Sequence, residues 1–147
     1  MTTPWTERNL WIKNFIPDNS SVVDWGCGNK DILRYINTNR YLGIDRNEYA
    51  DIIADFNVEI PNVVFHKKYD IGLVLGVLEY VQDPEYFLRS IKYSANTFII
   101  LVLSNKRKKE EWKQNFSVED FNNLIIPIWN TVSFDTQGNY ILAICSN

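Results

Sequence analysis

The chain has 147 residues, of which 46% are hydrophobic and 22% are charged. These proportions predict one globular domain with a single buried core. A formal net charge of −3 argues against a nucleic-acid partner held by bulk electrostatics. No signal peptide and no apolar stretch long enough for a membrane span is recognised. We therefore expect a cytoplasmic protein with no membrane partner, in which Cys27 and Cys145 are free thiols.

An amphipathic helix is predicted near the N-terminus, over residues 4–15. Thr3 can cap this helix, Pro4 suits its first turn, and Pro17 follows its end. Apolar side chains recur along it at helical spacing: Trp5, Leu10, Trp11, Phe15 and Ile16. We expect this apolar face to pack across a sheet.

A glycine-rich turn follows the first predicted strand. The sequence Val-Val-Asp-Trp-Gly-Cys-Gly-Asn over residues 22–29 is typical of a buried strand that ends in a sharp turn, and a helix is predicted next, over residues 30–36. Gly26 and Gly28 can adopt positive φ and let a ligand lie against the backbone. Asp24, at the end of the strand, is placed to accept hydrogen bonds. We expect a nucleotide-like or amino-acid-like ligand here.

A dinucleotide is the less favoured ligand for this turn. A dinucleotide-binding turn has a third small residue three positions after its second glycine. Asp31 occupies that position, and its carboxylate suits a pyrophosphate poorly. A nicotinamide-dependent oxidoreductase is therefore the weaker alternative, and a turn that binds no ligand is also open.

The next two predicted strands each end in an acidic residue. The first covers residues 40–45 and ends in Asp45, whose carboxylate can accept both hydroxyls of a ribose. The second covers residues 51–55 and ends in Asp55. Only five residues separate the two strands, whereas a parallel crossover normally needs about a dozen or more. We therefore predict that this crossover is reduced to a loop.

The rest of the chain alternates strands and helices and then closes on a hairpin. The predicted elements are strands over 69–75 and 96–103, helices over 83–94 and 117–126, and hairpin strands over 128–135 and 139–145. Residues 57–69 are predicted to be mostly loop. Residues 104–111 carry charges of both signs and form either a solvated segment or a cationic rim that guides an acidic substrate.

Two motifs resemble those of the class I S-adenosylmethionine-dependent methyltransferases. One is the acid-x-Gly-x-Gly pattern of residues 24–28, and the other is Tyr-Asp-Ile followed by Val-Leu-Glu-Tyr-Val and Asp-Pro within residues 69–84. The closing hairpin also matches. The resemblance implies one domain over residues 1–147 with an α/β, three-layer, Rossmann-like fold. Its seven-stranded, mostly parallel sheet would end in an antiparallel hairpin, with reduced crossover helices after strands 2 and 3.

The resemblance also implies a cofactor, S-adenosylmethionine, with S-adenosylhomocysteine as its product, and no metal. Asp24 and the glycines would hold the methionine end, Asp45 the ribose, Asp55 the adenine amine, and Phe56 would border the ring. The implied cofactor-binding residues are Asp24, Trp25, Gly26, Cys27, Gly28, Asp45, Arg46, Asp55, Phe56, Leu75 and Gly76. The first 20 residues could close over the cofactor, with Trp5 or Trp11 in the lid.

The catalytic signal is weak, as methyl transfer allows, because such a reaction needs mainly a nucleophile held in line and close. Candidates for positioning the acceptor or removing its proton are Tyr80, Glu79 and His66. Tyr80 stands where the resembling family usually has histidine.

The acceptor is predicted to be a small molecule or a saccharide. No Asn-Pro-Pro-aromatic sequence, which amino-methylating DNA enzymes of this resemblance would show, follows the fourth strand. A homodimer is one way to complete so short a chain. The alternative function is a non-catalytic relative that binds the cofactor and serves as a partner or regulator.

Overall fold

The computed structural model describes residues 3, 5–63, 67–104 and 112–147. They form a central sheet of seven strands with helices on both faces. The strands are β1 (Ser20–Trp25), β2 (Thr38–Asp45), β3 (Ile52–Ile53), β4 (Tyr69–Leu75), β5 (Ala95–Leu103), β6 (Thr131–Gln137) and β7 (Tyr140–Ser146). The α-helices of the described residues are α1 (Thr6–Ile12), α2 (Pro84–Ile91) and α3 (Val118–Ile125).

The strand order across the sheet is β3-β2-β1-β4-β5-β7-β6. Strands β1 to β5 pair in parallel, and β7 pairs antiparallel with both β5 and β6. The chain therefore builds one half of the sheet outward from β1, returns to the middle for β4 and β5, and ends with the hairpin. This confirms the predicted α/β fold, with its seven-stranded, mostly parallel sheet and its antiparallel closing hairpin.

Each face of the sheet has its own buried core. On one face Phe87 of α2 and Phe121 of α3 are fully buried against the sheet. On the other face Ile12 of α1 is fully buried in a cluster with Leu73 and Ile99. Side chains of the central strand β4 are buried on both faces, which explains its continuous apolar sequence.

The N-terminal helix is close to its predicted position. α1 begins at Thr6 and continues as a 3₁₀ turn over Lys13–Phe15, so the helical region ends before Pro17 as predicted. Pro4, the predicted first helical residue, lies outside the described residues. α1 packs across the sheet through Ile12, as its apolar spacing predicts.

The crossover after β1 is shorter than predicted. The sequence predicts a helix over residues 30–36, but the structure has a single 3₁₀ turn, Asp31–Arg34. Lys30, whose φ is 64°, still belongs to the glycine turn, and β2 already begins at Thr38. The short segment between the glycine turn and β2 forms no α-helix, so this prediction is wrong.

The edge strand β3 is reduced to Ile52–Ile53, which is shorter than the predicted strand over residues 51–55. It pairs in parallel with β2, although only a loop, residues 46–51, connects the two strands. The Gly43 N–H donates to the Asp51 carboxylate at 2.8 Å, and the Asp51 N–H donates to the Gly43 carbonyl at 2.9 Å. These bonds fold the loop back against β2 and take the place of a crossover helix, as predicted.

Local sequence signals set the starts of the last two helices. The Asp83 side chain accepts a hydrogen bond from the Tyr86 N–H at 3.0 Å and caps α2. Ser117 and Asp120 form a capping box at the start of α3. Caps of this kind supply partners for helix N–H groups that otherwise have none.

In the part of the chain that the structure describes, no helix is long and apolar enough to cross a membrane.

Replacing the cap of α2 tests how much this local signal contributes. Asp83→Ala removes the acceptor for the Tyr86 N–H, and we expect it to lower the free energy of unfolding by about 1 kcal/mol in urea denaturation. Asp83→Asn keeps an acceptor at the same position and is expected to retain most of the stability. Equal losses in the two variants would contradict capping by hydrogen bonding.

Candidate active site

The glycine turn lies at the carboxyl end of β1 and folds over the end of β2. The N–H groups of Gly26 and Cys27 both donate to the Ile44 carbonyl, at 2.7 and 3.1 Å. Gly26 has a φ of 93°, and a Cβ atom built on it would lie 2.2 Å from Cγ2 of Val77. Only glycine fits this position, because a side chain would need both a strained backbone and the space that Val77 occupies.

Two cavities lie along this edge of the sheet. One of about 270 Å³ is bounded by α1, the glycine turn and the ends of β4 and β5, and we call it the inner cavity. Another of about 220 Å³, the outer cavity, lies toward β3. Both are lined by Gly26, Asp45, Gly76 and Tyr80. The two cavities therefore form one groove across the carboxyl ends of the parallel strands.

Most of the predicted cofactor-binding residues line this groove. The inner cavity is lined by Asp24, Gly26, Cys27, Gly28, Asp45, Leu75 and Gly76. The outer cavity is lined by Gly26, Asp45, Arg46, Asp55, Phe56 and Gly76. Residues 30 positions or more apart in sequence are thus brought to one site by the topology of the sheet.

The side chain of Trp25 is the exception among these predicted residues. It is 1% exposed, lines neither cavity of the groove, and donates from Nε1 to Ser94 Oγ at 3.3 Å. Its ring packs edge-on against Phe87, on the α2 side of the sheet. A role for Trp25 as a side-chain ligand therefore has no support from the geometry, because β1 alternates faces and Asp24 takes the side toward the groove.

Asp24 is the most constrained carboxylate of the groove. It is 3% exposed, and the Tyr41 hydroxyl donates to its Oδ2 at 2.7 Å. Burial raises the pKa of Asp24 to about 6, while the Tyr41 hydrogen bond and the Arg8 charge act in the opposite direction. The same burial, with the charge of Asp24, raises the pKa of Tyr41, so the phenol keeps its proton. At neutral pH the groove therefore presents a buried anion that suits a cationic group.

Asp45 joins the end of β2 to the glycine turn. Its Oδ2 accepts from the Gly28 N–H at 2.8 Å, and its Oδ1 accepts from the Arg46 N–H at 2.6 Å. Each carboxylate oxygen can accept a further hydrogen bond, so the side chain can still receive the hydroxyls of a ligand. Its place in both cavities puts it in the middle of the groove.

Phe56 and Cys27 bring apolar and neutral surface to the groove. The Phe56 ring lines the outer cavity and stacks at a tilt on Phe87, with ring centroids 4.9 Å apart. Asp55 lies beside it and accepts from the Asn57 N–H at 2.9 Å. Burial raises the pKa of the Cys27 thiol to about 12, so this thiol stays neutral.

Two of the three predicted catalytic residues lie at the groove. Glu79 is 2% exposed, lines the inner cavity, and accepts from the Leu103 N–H at 3.1 Å. Tyr80 lines both cavities, and its ring meets Trp112 edge-on at 6.4 Å. His66, the third candidate, lies outside the described residues.

Sequence reasoning missed a polar cluster that joins α1 to the glycine turn. Asn9 is fully buried, and its Nδ2 donates to Asp31 Oδ2 at 2.9 Å. Arg8 lines the inner cavity and donates from Nε to Asn9 Oδ1 at 3.0 Å. The Thr3 hydroxyl donates to Asp31 at 3.1 Å. In the sequence these residues resemble the solvated face of an amphipathic helix, and the one available signal was Asp31 where a dinucleotide turn has a small residue.

Comparison with known proteins gives a curated relative and solved structures of similar fold. No family model matches the chain. A curated protein of Invertebrate iridescent virus 6, named "Putative methyltransferase 235L", is 29% identical over 137 residues, which cover 73% of this chain and 52% of that protein. The chain thus spans about half the length of this curated relative.

Several solved structures share the architecture at low sequence identity. A Haloferax volcanii protein solved in complex with the methyltransferase activator Trm112 has a TM-score of 0.76 at 15% identity, with 97% of this chain and 89% of that chain covered. A methyltransferase of Aquifex aeolicus has a TM-score of 0.72 at 17% identity, covering 98% and 93%. A Burkholderia thailandensis N1-methyltransferase, solved with S-adenosylhomocysteine, has a TM-score of 0.74 at 13% identity, covering 97% and 77%. This is the class I methyltransferase fold.

The class I methyltransferase fold explains why the groove lies where it does. The strand order reverses between β1 and β4, and in open α/β sheets ligands bind at the carboxyl ends of the strands beside such a reversal. Asp24 is the penultimate residue of β1 and Gly76 follows β4, so both border this crevice.

The raised pKa of Asp24 predicts a measurable effect on stability. Its pKa is about 6 when folded and near the ordinary value of 3.8 when unfolded. Between these values the folded state holds a proton that the unfolded chain releases, so stability falls as pH rises through this window. Asp24→Asn lacks this cost and still accepts from Tyr41. We expect Asp24→Asn to be more stable above the window, by on the order of 3 kcal/mol.

Urea denaturation across the window checks this expectation. The stability difference between Asp24→Asn and the wild type should vanish at acidic pH and reach its maximum near neutral pH. Asp18→Asn, at an exposed position outside the groove, controls for the loss of one negative charge. A difference that does not change with pH would contradict the raised pKa.

Proposed function

We propose that the chain is an S-adenosylmethionine-dependent methyltransferase that acts on a small-molecule or saccharide-type acceptor. The observation that carries this proposal is the spacing of three carboxylates along one groove. Asp24, Asp45 and Asp55 stand at or beside the carboxyl ends of β1, β2 and β3, which are neighbours in the sheet. They meet the groove at the inner cavity, at its middle and at the outer cavity.

The chemistry of the cofactor matches this order. An ionised, buried Asp24 suits the ammonium of the methionine end. Asp45, shared by both cavities, suits the two ribose hydroxyls. Asp55 can accept from the adenine amine, while Phe56 supplies an apolar border for the ring. The solved structures of similar fold that contain S-adenosylhomocysteine support the same cofactor.

The inner cavity extends beyond the part that would hold the cofactor. Glu79, Trp112 and Tyr140 line it on the side of β5 and β7. A cleft of about 330 Å³ between α1 and the β6–β7 hairpin shares Arg8 and Tyr140 with it. This cleft is where we place the acceptor. The shared residues show that it adjoins the inner cavity.

The lining of the cleft suits a small polar acceptor. Trp11 and Tyr140 offer aromatic surface, and Gln137 and Asn139 offer amide groups. Aromatic faces with planar polar groups at their edge are well matched to a sugar or a similar polyhydroxy or heterocyclic molecule. The homodimer predicted from the short chain stays a prediction.

Methyl transfer at this site needs little acid–base chemistry. When bound, the cofactor would supply an electrophilic methyl group carried on its sulfonium. Asp24 and Asp45 hold the reactive end in place, which provides orientation. Glu79 or Tyr80 takes the proton that the acceptor loses, or passes it to water.

Binding calorimetry tests the cofactor assignment. We expect wild-type protein to bind S-adenosylmethionine and S-adenosylhomocysteine with micromolar affinity, and Asp45→Ala to bind both at least about tenfold more weakly because the ribose loses its acceptor. Asp135→Ala, at an exposed position of β6, is the matched control. Thermal denaturation of each variant separates lost binding from lost folding. Wild-type protein that binds neither compound would overturn the proposed function.

A labelling experiment tests the acceptor class. The protein is incubated with methyl-labelled cofactor and a cell extract, and the label is followed by size fractionation. We expect label in the low-mass fraction, with Asp45→Ala as the inactive control. Label found only in protein or nucleic acid would overturn the small-molecule acceptor. Tight cofactor binding with no transfer to any fraction would instead favour the non-catalytic alternative.

A further inference from the structure

The outer edge of β6 is a surface that the proposed function does not use. β6 is the last strand in the sheet order, and no strand of the described residues pairs with its outer side. Five of its seven residues are exposed, and the other two, Val132 and Phe134, are half-buried. Such an edge presents a row of N–H and C=O groups that can pair with another strand.

The two edges of the sheet differ in how well they are protected against such pairing. β3, at the other edge, is only two residues long and offers little to pair with. β6 extends over seven residues and has none of the prolines, lysines or bulges that commonly block an edge. Asp135 is its one charged residue. A further strand would therefore add to the sheet at β6.

The pairing of β6 with β7 shows which of its residues face outward. A two-residue turn joins the strands, with Gln137 and Tyr140 paired directly beside it. Such a pair exchanges both of its backbone hydrogen bonds, and bonded and non-bonded pairs alternate from there along the strands. The residues whose N–H and C=O groups point outward are thus Val132, Phe134 and Thr136. In agreement, the Thr136 N–H donates to the adjacent Asp135 side chain, at 2.8 Å.

We propose that the protein forms a homodimer in which β6 pairs antiparallel with β6 of a second copy, about a two-fold axis at Phe134. This register uses all seven residues of the strand, and symmetry makes every contact off the axis occur twice. It joins the two sheets into one continuous sheet. Both outer edges of that sheet are then the short β3, so assembly stops at two copies.

Charge and packing both favour this register. It places Asp135 opposite Ser133 of the second copy, so that a hydroxyl can donate to each carboxylate. A register centred on Asp135 would instead set two carboxylates directly opposite each other, which is destabilising. The Phe134 rings of the two copies would meet at the axis, and each is already edge-on to Phe121 with ring centroids 6.1 Å apart. Aromatic cross-strand pairs stabilise antiparallel sheets.

The second copy would also border the cleft in which we place the acceptor. Gln137 lines that cleft, and the register pairs it with Thr131 of the second copy. This consequence rests on the proposed function. The pairing itself does not, because it is carried by β6 alone.

Sedimentation over a concentration series tests the pairing. We expect the wild type to sediment with twice the mass of one chain. Thr136→Pro should sediment as a monomer, because proline removes an outward N–H and leaves the bonds to β7 intact. Thr136→Val keeps that N–H and, as the matched control, should stay dimeric. Thermal denaturation shows whether each variant is folded. Wild-type protein that is monomeric at every concentration, or folded Thr136→Pro that is still dimeric, would overturn the inference.

Substitutions at Ser133 test the register and leave the backbone unchanged. Ser133→Asp sets a carboxylate opposite Asp135 at both symmetry-related positions, and we expect the Kd of the dimer to rise about tenfold. Ser133→Lys sets an ammonium there and should lower the Kd. Ser90→Asp, at an exposed position of α2, adds the same charge away from β6 and should leave the Kd unchanged. Equal effects of the two Ser133 variants would contradict the proposed pairing, whether or not the protein binds the cofactor.

Discussion

The site depends on a short set of hydrogen bonds that hold the glycine turn to the end of β2. Gly26 and Cys27 donate to Ile44, and Gly28 donates to Asp45. These bonds bring the carboxyl ends of β1 and β2 together without a long crossover helix. The groove exists because this turn bends away from the sheet at the point where the strand order reverses. Both cavities of the groove border that turn, because Gly26 lines each of them.

Buried charged groups in the same region lower the free energy of unfolding, and apolar burial in the rest of the core must offset this loss. Asp24 is buried and shifted toward the neutral form, and Arg8 is partly buried without a close anionic partner in the described residues. A protein selected for stability alone would place apolar residues at both positions. Opposite charges that line one cavity are instead the arrangement expected of a site for a polar ligand.

Sequence patterns predicted the sheet well because strand signals are local. The continuous apolar run of β4, the acids near the ends of β1 and β2, and the closing hairpin can each be recognised within a few residues. The helix predicted after β1 does not form, and the reason lies outside its own sequence. Its residues have helical periodicity, but they lie between the glycine turn and the early start of β2, and only the 3₁₀ turn Asp31–Arg34 forms there.

The candidate site was predictable only where a ligand position coincides with a strand end. Asp24 and Asp45 could be identified in this way, whereas Arg8 and Asn9 could not. Their place at the groove follows from how α1 packs across the sheet, and an isolated polar pair on an amphipathic helix usually faces solvent. Trp25 shows the converse: it adjoins the turn in sequence, yet strand alternation directs its ring into the opposite core.

The crossover between β1 and β2 is short, and α1 is therefore important as a wall of the inner cavity. Because Asp31–Arg34 is only one turn long, α1 supplies much of the wall above the inner cavity. That wall is attached through Ile12 in the core and through the Asn9–Asp31 hydrogen bond at the site. A ligand held between α1 and the strand ends would stabilise this arrangement, by an amount that grows with the logarithm of the ligand concentration relative to its Kd.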